Sequence, residues 1–304
     1  MGEIGYNSSN NEFNENRIFE DGTNLESKEH AETSFPSETQ ALKSSECSDK
    51  TNANETNIST QELAETTHDK TKQEILSEYS QYMSKEHIER LEDDETKNKV
   101  LVMNSETYTE TFVNMPFEVV GHCDSEGCIY IKDISPEIVE HISTHETMHL
   151  CANRENYIDN RGTGIIESGI RESHYENGKL IADFNQGANE GLTEMYTLRN
   201  LIERNSLESA YSINSYSEAR MWAQRLEKLI GSEKTAEAYF GGKKDALRQE
   251  FIKLNNNEIN AWIQYSKDID VLTYSENEYE ITQAKYRLAM QYKTMAENKY
   301  NIVD

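Results

Sequence analysis

The sequence predicts an α+β fold, with a few short strands followed by a long, mainly helical C-terminal part. Two runs, Lys99–Met103 and Cys128–Lys132, are short, apolar and rich in β-branched residues, as strands are. From about residue 201 onwards, apolar residues instead recur at helical spacing. We therefore expect a strand-containing lobe over residues 71–200 and a helical C-terminal lobe over residues 201–304.

Residues 1–70 form an acidic and polar segment, which we expect to be a disordered tail. The segment holds 15 acidic residues against 5 basic ones and contains few apolar residues. Such a composition cannot bury enough apolar surface to offset the conformational entropy that ordering would cost. From Thr71 the pattern changes, because a series of apolar residues recurs at helical spacing: Ile75, Leu76, Tyr79, Tyr82, Met83, Ile88 and Leu91. These residues predict a helix that opens the folded part of the chain.

The strand-like runs between residues 99 and 132 include a predicted hairpin. The run from Phe117 to Gly121 and the run Cys128–Lys132 flank Asp124–Gly127, whose residues favour a turn. The hairpin comes directly before a predicted helix that begins near residue 136. An edge strand in this place would let an extended peptide add to the sheet through backbone hydrogen bonds.

The helix after this hairpin carries the pattern His145-Glu146-x-x-His149. Ser135 provides an N-cap and Pro136 occupies the first helical position, so a helix is predicted here. Residues four apart lie on the same helical face, so the two imidazoles can hold one zinc ion from the same side. The glutamate beside the first histidine then faces a water molecule on the open side of the metal. This arrangement is the sequence signature of zinc-dependent peptide hydrolysis.

A second stretch, Gly187–Tyr196, supplies a candidate third ligand. Glu190 and Glu194 are four residues apart, so both carboxylates share one helical face. A catalytic zinc takes three protein ligands, and we assign Glu190 as the third. Glu194 would then accept the second ring N–H of one zinc-binding histidine and fix its tautomer. The alternative interpretation is a solvated acidic helix start, because glutamates suit a helix N-terminus.

His141 continues the row of His145 and His149, but it is not a candidate ligand for the same ion. The ends of that row are about 12 Å apart along a regular helix. Ligand atoms about 2 Å from a single zinc cannot span this length. We therefore interpret His141 as a core residue or as a partner of the ligands.

The long connection between the two motifs contains Asn177-Gly178 between strand-like runs. Both residues tolerate positive φ, so this pair is a strong hairpin signal. The sequence predicts a β-hairpin inserted near residues 164–184. Such a hairpin could form one wall of a cleft, or it could be a surface excursion without substrate contact.

His145-Glu146-x-x-His149, followed by Asn189-Glu190-x-x-x-Glu194, resembles the gluzincin group of metallopeptidases, which includes thermolysin-like and aminopeptidase-like enzymes. The resemblance covers roughly residues 117–200. It implies a zincin-like fold, with a small twisted sheet beside the active-site helix. It also implies His145, His149 and Glu190 as ligands and Glu146 as the general base. The connection between the two motifs is longer than in those enzymes, so the substrate class is not carried over.

The resemblance also implies how the residues would act. Glu146 would take a proton from the attacking water and deliver it to the leaving amine. A developing oxyanion needs a hydrogen-bond donor beside the metal. In gluzincin-like enzymes a Tyr or His of the C-terminal lobe often has this role. We assign it to Tyr216, with Tyr211 and His174 as alternatives.

The composition limits the partners. The formal net charge is −26, which argues against binding to nucleic acid or to anionic membranes. No apolar run is long enough to span a bilayer. The N-terminus has neither a basic region nor an apolar core, so we expect a cytoplasmic protein or one exported without a conventional signal peptide. The expected partner is a peptide or protein substrate.

Two other functional classes remain open. One is a catalytically inactive, zincin-like module that binds a peptide. The intact Glu146 argues against it, because a structural metal site needs no base. The other is an effector or toxin protease exported without a leader, which differs in biology more than in chemistry.

Overall fold

The computed structural model of the protein describes residues 58–93, 99–112, 119–124 and 127–301. These residues form helices together with two small sheets, so the predicted α+β class is confirmed. Several predictions fall outside the described residues. They concern most of the acidic tail, the first residues of the strand expected from Phe117, and the centre of the turn at Ser125.

Helices outnumber strands in the described part of the chain. The helices are α1 (Thr60–Tyr79), α2 (Lys85–Glu92), α3 (Ser105–Thr111), α4 (Pro136–Cys151), α5 (Gln186–Glu203), α6 (Leu207–Ala210), α7 (Ser217–Ile230), α8 (Ser232–Gly241), α9 (Lys244–Leu254), α10 (Ala261–Tyr274) and α11 (Glu278–Tyr300). The strands are β1 (Val100–Met103), β2 (Gly121–Cys123), β3 (Ile129–Lys132), β4 (Arg154–Asn156), β5 (Gly164–Ser168), β6 (Arg171–Glu176) and β7 (Lys179–Phe184).

The first sheet lies against α4 and has the order β1-β3-β2. β3 pairs in parallel with β1 and antiparallel with β2, so β2 is an edge strand in the described part of this sheet. Ile129 and Ile131 of β3 pack with Val139 and Ile142 of α4 in one apolar cluster. Gly121 lets β2 approach the helix closely, because a Cβ atom there would lie 2.3 Å from Cγ2 of Ile142.

The second sheet fills the connection between α4 and α5. It is an antiparallel meander with the order β4-β5-β6-β7. Asn177 and Gly178, with φ of 51° and 75°, form the turn between β6 and β7, as the sequence predicts. The sequence predicts a single hairpin, which corresponds to β6 and β7, and the structure adds β4 and β5 to it.

The prediction that the whole of residues 1–70 is a disordered tail is wrong for residues 60–70, which belong to α1. The buried face of this helical segment is largely polar, so hydrophobic periodicity does not reveal it. His68 Nδ1 lies 2.9 Å from Thr147 Oγ1 of α4, and Ser143 Oγ donates to the carbonyl of Ala64 at 2.8 Å. Hydrogen bonds of this kind replace part of the apolar contact that usually holds a helix.

The helix predicted from Thr71 is shorter than its apolar pattern suggests. α1 ends at Tyr79, and a short 3₁₀ turn follows at Ser80–Tyr82. α2 begins at Lys85, directly after its N-cap residue Ser84. Ser84 Oγ accepts the backbone N–H of His87 at 3.1 Å, which caps α2. The apolar residues on both sides of the break join the same core, so the spacing pattern continues through it.

The C-terminal part of the chain is helical from α5 to α11. The predicted boundary at residue 200 falls inside α5, and the described residues between 58 and 301 belong to one compact unit. The main hydrophobic core of this unit includes the aromatic residues Trp222, Phe251 and Tyr265. Among the described residues, no helix is both long enough and apolar enough to cross a bilayer.

Candidate metal centre

α4 presents the first motif from a helix whose start is fixed locally. Ser135 Oγ accepts the backbone N–H of Ile138 at 3.4 Å, and Pro136 occupies the first helical turn. The helix then runs between the first sheet, α1 and α5. Only 8% of the surface of His145, and likewise of Glu146, is exposed to solvent, so the motif is largely buried.

α5 presents the second motif from a start that is fixed by distant residues. Asn185 has a left-handed conformation with φ of 61°, and it is not a side-chain cap. The N–H of Gly187 donates to Asp270 Oδ1 of α10 at 2.7 Å. Asn189 Oδ1 accepts the N–H of Ile170 at 3.0 Å, which ties α5 to the turn before β6. These bonds direct the carboxylates of α5 toward α4.

The two motifs meet at one carboxylate oxygen. Glu190 Oε2 lies 3.4 Å from His145 Nε2 and 3.2 Å from His149 Nε2. One ligand atom from each of these three residues lies within 4.8 Å of the others. Two imidazole nitrogens and one carboxylate oxygen are the donor set of many catalytic zinc sites. The chemistry and spacing of these donors therefore fit a zinc ion.

The other ring nitrogen of each histidine is also occupied. His145 Nδ1 lies 3.0 Å from Glu194 Oε2, and His149 Nδ1 lies 3.4 Å from Thr193 Oγ1. Thr193 donates its own hydroxyl proton to the carbonyl of Asn189, so toward His149 it acts as an acceptor. With both Nδ1–H groups committed, the two Nε2 atoms are the ones left to bind a metal.

His141 contacts Glu194 and is not part of the three-residue cluster. Its Nε2 lies 3.3 Å from the same Glu194 oxygen that contacts His145, and its Nδ1 lies 2.9 Å from the carbonyl of Ser209. The guanidinium of Arg220 approaches the other Glu194 oxygen at 3.9 Å. Glu194 is therefore held by two histidines and lies near the positively charged guanidinium of Arg220.

The carboxylates and imidazoles of the cluster stabilise each other's charged forms, as their pKa values indicate. Burial alone would raise the pKa of Glu190, but the positive charge of His149 and the hydrogen bond from His145 lower it well below its usual range. Burial would likewise raise the pKa of Glu194, but hydrogen bonds from His141 and His145 lower it to about 2. Conversely, the contacts with both carboxylates raise the pKa of His145 despite its burial. The two carboxylates therefore favour a positive charge at His145.

Glu146 faces a cleft together with the cluster. A cleft of about 490 Å³ has His145, Glu146, His149 and Glu190 in its wall. Burial and the nearby Glu190 charge raise the pKa of Glu146, although the two histidines lower it in part. The backbone amide of Cys123, in the edge strand β2, hydrogen-bonds to the Glu146 carboxylate. Residues of β5 and β6 form another wall, so the meander does border the cleft.

Of the three tyrosine and histidine candidates for the oxyanion donor, Tyr216 lies at the cleft. Its ring is nearly parallel to that of His145, at 17° and a centroid distance of 5.7 Å. Burial, followed by the charges of Glu190 and Glu146, raises the pKa of Tyr216 above its usual value. Tyr211 instead is 70% exposed, and His174 lines a different pocket from a position in β6.

Several residues near the cluster were missed by sequence reasoning. Thr193 lies one helical turn after Glu190, so the spacing that revealed Glu194 could also have revealed it. Tyr239 holds Thr193 through a 2.6 Å contact between their hydroxyl oxygens, and Arg154 and Arg171 line the cleft. No local pattern marks these three residues, because they come from β4, β6 and α8.

Comparison of this chain with protein-family models, with curated proteins and with solved structures finds no match.

Proposed function

We propose that this chain is a zinc-dependent metallopeptidase, with His145, His149 and Glu190 as zinc ligands and Glu146 as the general base. The observation that supports the proposal is the approach of two Nε2 atoms and one carboxylate oxygen to within 4.8 Å of one another. The sheet beside α4 and the following helical part agree with a zincin-like fold, which belongs to the same proposal.

A zinc ion, when bound, polarises a substrate carbonyl and lowers the pKa of water. Glu146 accepts the proton that is released and transfers it to the leaving amine. Its raised pKa favours this role, because a base is most effective when its pKa approaches the working pH. The hydrogen bond from the Cys123 amide favours the charged form of Glu146, which is the form that accepts a proton.

Tyr216 and Glu194 have supporting roles in this proposal. The raised pKa of Tyr216 keeps its phenol protonated near neutral pH, so it can donate a hydrogen bond to a developing oxyanion. Glu194 accepts Nδ1–H of His145 at 3.0 Å and thereby keeps Nε2 directed toward Glu190.

The substrate of the proposed enzyme is an extended peptide that pairs with β2. Lys132 N–H donates to the carbonyl of Val120, and Asp124 N–H donates to the carbonyl of Cys128. Because antiparallel strands alternate the direction of their peptide groups, those of Gly121 and Cys123 face the edge of β2 that has no partner strand in the described part of the chain. The Cys123 N–H already donates to Glu146, so both groups of Gly121 and the carbonyl of Cys123 are left to pair with a peptide. That edge borders the cleft, so a peptide added there would pass Glu146.

The experiment is elemental analysis of the purified wild type and of Glu190→Gln, followed by peptide cleavage. We expect stoichiometric zinc in the wild type and clear loss in Glu190→Gln. Glu146→Gln should keep its zinc and lose turnover by about 100- to 10,000-fold. Absence of zinc from folded wild type, even after incubation with the metal, would refute the proposal. Full turnover by Glu146→Gln would refute the mechanism, and zinc without cleavage of any peptide would favour an inactive binding module.

A further inference from the structure

Two arginines in the cleft differ in how their charge is neutralised. Arg171 makes a two-pronged contact with Asp183, with Nε at 2.9 Å from Oδ1 and Nη2 on the other oxygen. Arg154 instead donates from Nη1 to the uncharged backbone carbonyl of Asp124 at 3.3 Å. Among the described residues, no carboxylate lies within ion-pair distance of Arg154. Within the described part of the chain, Arg154 therefore brings to the cleft a positive charge that no carboxylate pairs with.

A second guanidinium lies near Arg154. Two nitrogens of Arg90, Nε and Nη2, are buried without a hydrogen-bond partner among the described residues. Burial, and next the positive charge of Arg154, lower the pKa of Arg90. Like charges held close together repel, and an anion placed beside them would relieve the repulsion.

Arg154 also occupies a fixed place relative to the edge strand. It begins β4, where it pairs with Ser168, and it contacts the carbonyl of Asp124 directly after the end of β2. Glu146 is bonded to the amide of Cys123, the last residue of β2. A peptide paired with β2 would therefore meet Glu146 and Arg154 at neighbouring positions. Both residues line the cleft, so we expect the guanidinium to lie near the bond that the proposed enzyme cuts.

We propose that Arg154 binds a carboxylate of the substrate, so that the enzyme selects peptides with an acidic group next to the scissile bond. This inference rests on the proposed peptidase function and adds a substrate class to it. A guanidinium offers a planar fork of donors that matches a carboxylate, and such charge-assisted bonds are stronger than neutral ones. Arg171 is excluded from this role because Asp183 already occupies its fork.

The carboxylate can come from two sources, which the experiment separates. One is the side chain of Asp or Glu within the peptide, and the other is the free C-terminus. The first predicts that Glu is preferred over Gln at a single peptide position. The second predicts that a C-terminal acid is preferred over the amide of the same peptide.

The test uses zinc-loaded Glu146→Gln protein, which should bind peptides without cutting them. Fluorescent peptides carrying Glu or Gln at each position in turn, and paired acid and amide C-termini, are titrated by anisotropy. We expect one acidic peptide to bind at least about 10-fold more tightly than its neutral partner, the effect of one charge-assisted hydrogen bond. Adding Arg154→Gln should abolish the difference, and Arg154→Lys should retain part of it because the charge stays and the fork is lost.

Lys179→Gln is the matched control, because it removes the same charge from an exposed position in β7. It should leave the preference intact. Equal binding of every acidic and neutral pair, or an undiminished preference in Arg154→Gln, would overturn the inference. If Arg154→Gln does not fold, an undiminished preference in Arg154→Lys would have the same meaning.

Cleavage by the wild type separates this inference from the proposed function. Preference for the acidic peptides in kcat/KM supports both. Cleavage of acidic and neutral peptides at equal rates overturns the inference alone. Failure to bind or cut any peptide, in zinc-loaded protein, refutes the proposed function and the inference with it.

Discussion

α4 and α5 carry complementary halves of the candidate metal centre, but they are positioned by different means. α4, with both imidazoles, begins at the local Ser135-Pro136 cap. α5, with the carboxylates, begins at a left-handed Asn185, and its first turn is held by Asp270, 83 residues after Gly187. The imidazole half therefore depends mainly on nearby sequence, whereas the carboxylate half depends on tertiary contacts.

Removal of one ligand from either half should have the largest effect. His149→Ala and Glu190→Gln each leave two of the three donors, so we expect zinc affinity to fall by more than about 100-fold in both. Competition with a chromophoric chelator measures the affinities. His174→Ala and Glu176→Gln, outside the three-residue cluster, serve as controls that should bind zinc like the wild type. Unchanged affinity in Glu190→Gln would show that the carboxylate half is not part of the site.

Glu194→Gln should remove a pH-dependent contribution to the stability of the metal-free protein. The pKa of Glu194 is lowered from its ordinary 4.5 to about 2, because hydrogen bonds from His141 and His145 outweigh burial. The stabilisation is therefore complete above pH 4.5 and is lost as the pH falls through about 2. From the shift, we expect an advantage of wild type over variant of about 3 kcal/mol near pH 5, falling to roughly half that at pH 3.

Urea denaturation of both proteins at pH 5, 4 and 3 measures this difference. Comparison with the variant cancels the general effect of the other carboxylates. A constant difference across the three pH values would contradict the prediction.

Gly191→Ala should disturb the carboxylate half without changing any ligand. A Cβ atom at Gly191 would lie 2.5 Å from the backbone oxygen of Ala219 in α7. We expect a loss of about 1–3 kcal/mol in the free energy of unfolding, as for other overpacked sites, together with weaker zinc binding. Thermal denaturation and zinc competition measure the two effects.

Gly121→Ala is the matched change on the side of α4. The added Cβ meets the side chain of Ile142, so we expect it to displace β2 and to weaken peptide binding. Zinc affinity should remain unchanged because neither imidazole moves. If Gly121→Ala and Gly191→Ala reduced zinc affinity equally, the two halves would not be positioned independently.

Among the changes expected to weaken zinc binding, His141→Phe should have the smallest effect. Phe fills a similar volume but cannot donate to Glu194, so the carboxylate that orients His145 loses one of its two histidine partners. We expect zinc affinity to fall about 10-fold, the lower end for changes beside a metal ligand. His87→Phe, at a buried histidine of α2, is the control. Wild-type affinity in His141→Phe would show that His145 alone suffices to hold Glu194.

The sequence predicts the imidazole half better than the carboxylate half for a physical reason. The cap at Ser135 and the spacing of His145 and His149 are local, so they are visible in a short window of residues. Glu190 and Glu194 are visible as a spaced pair, but their direction depends on Asp270 and on the meander. That His145 and His149 both approach one oxygen of Glu190 could therefore be expected only from the resemblance of the two motifs to those of gluzincin metallopeptidases.

Two further features show where sequence reasoning is insufficient. The start of α1 is hidden because Thr67 and His68 are buried polar residues, whose cost is offset by hydrogen bonds to other helices. Tyr216 is itself the left-handed residue that precedes α7, and its local sequence does not distinguish it from the other tyrosines. Arg154 is recognisable only once β4 is seen to begin at the cleft.

The contact between Gly187 and Asp270 has a consequence for the newly made chain. At about 5–20 residues per second, the ribosome adds Asp270 about 4–17 s after Gly187. During that interval the nascent polypeptide already carries both histidines and Glu190 but lacks the group that fixes the first turn of α5. We therefore expect the proposed peptidase to be latent while it is being translated, with no inhibitory propeptide required to protect the polypeptides being made beside it.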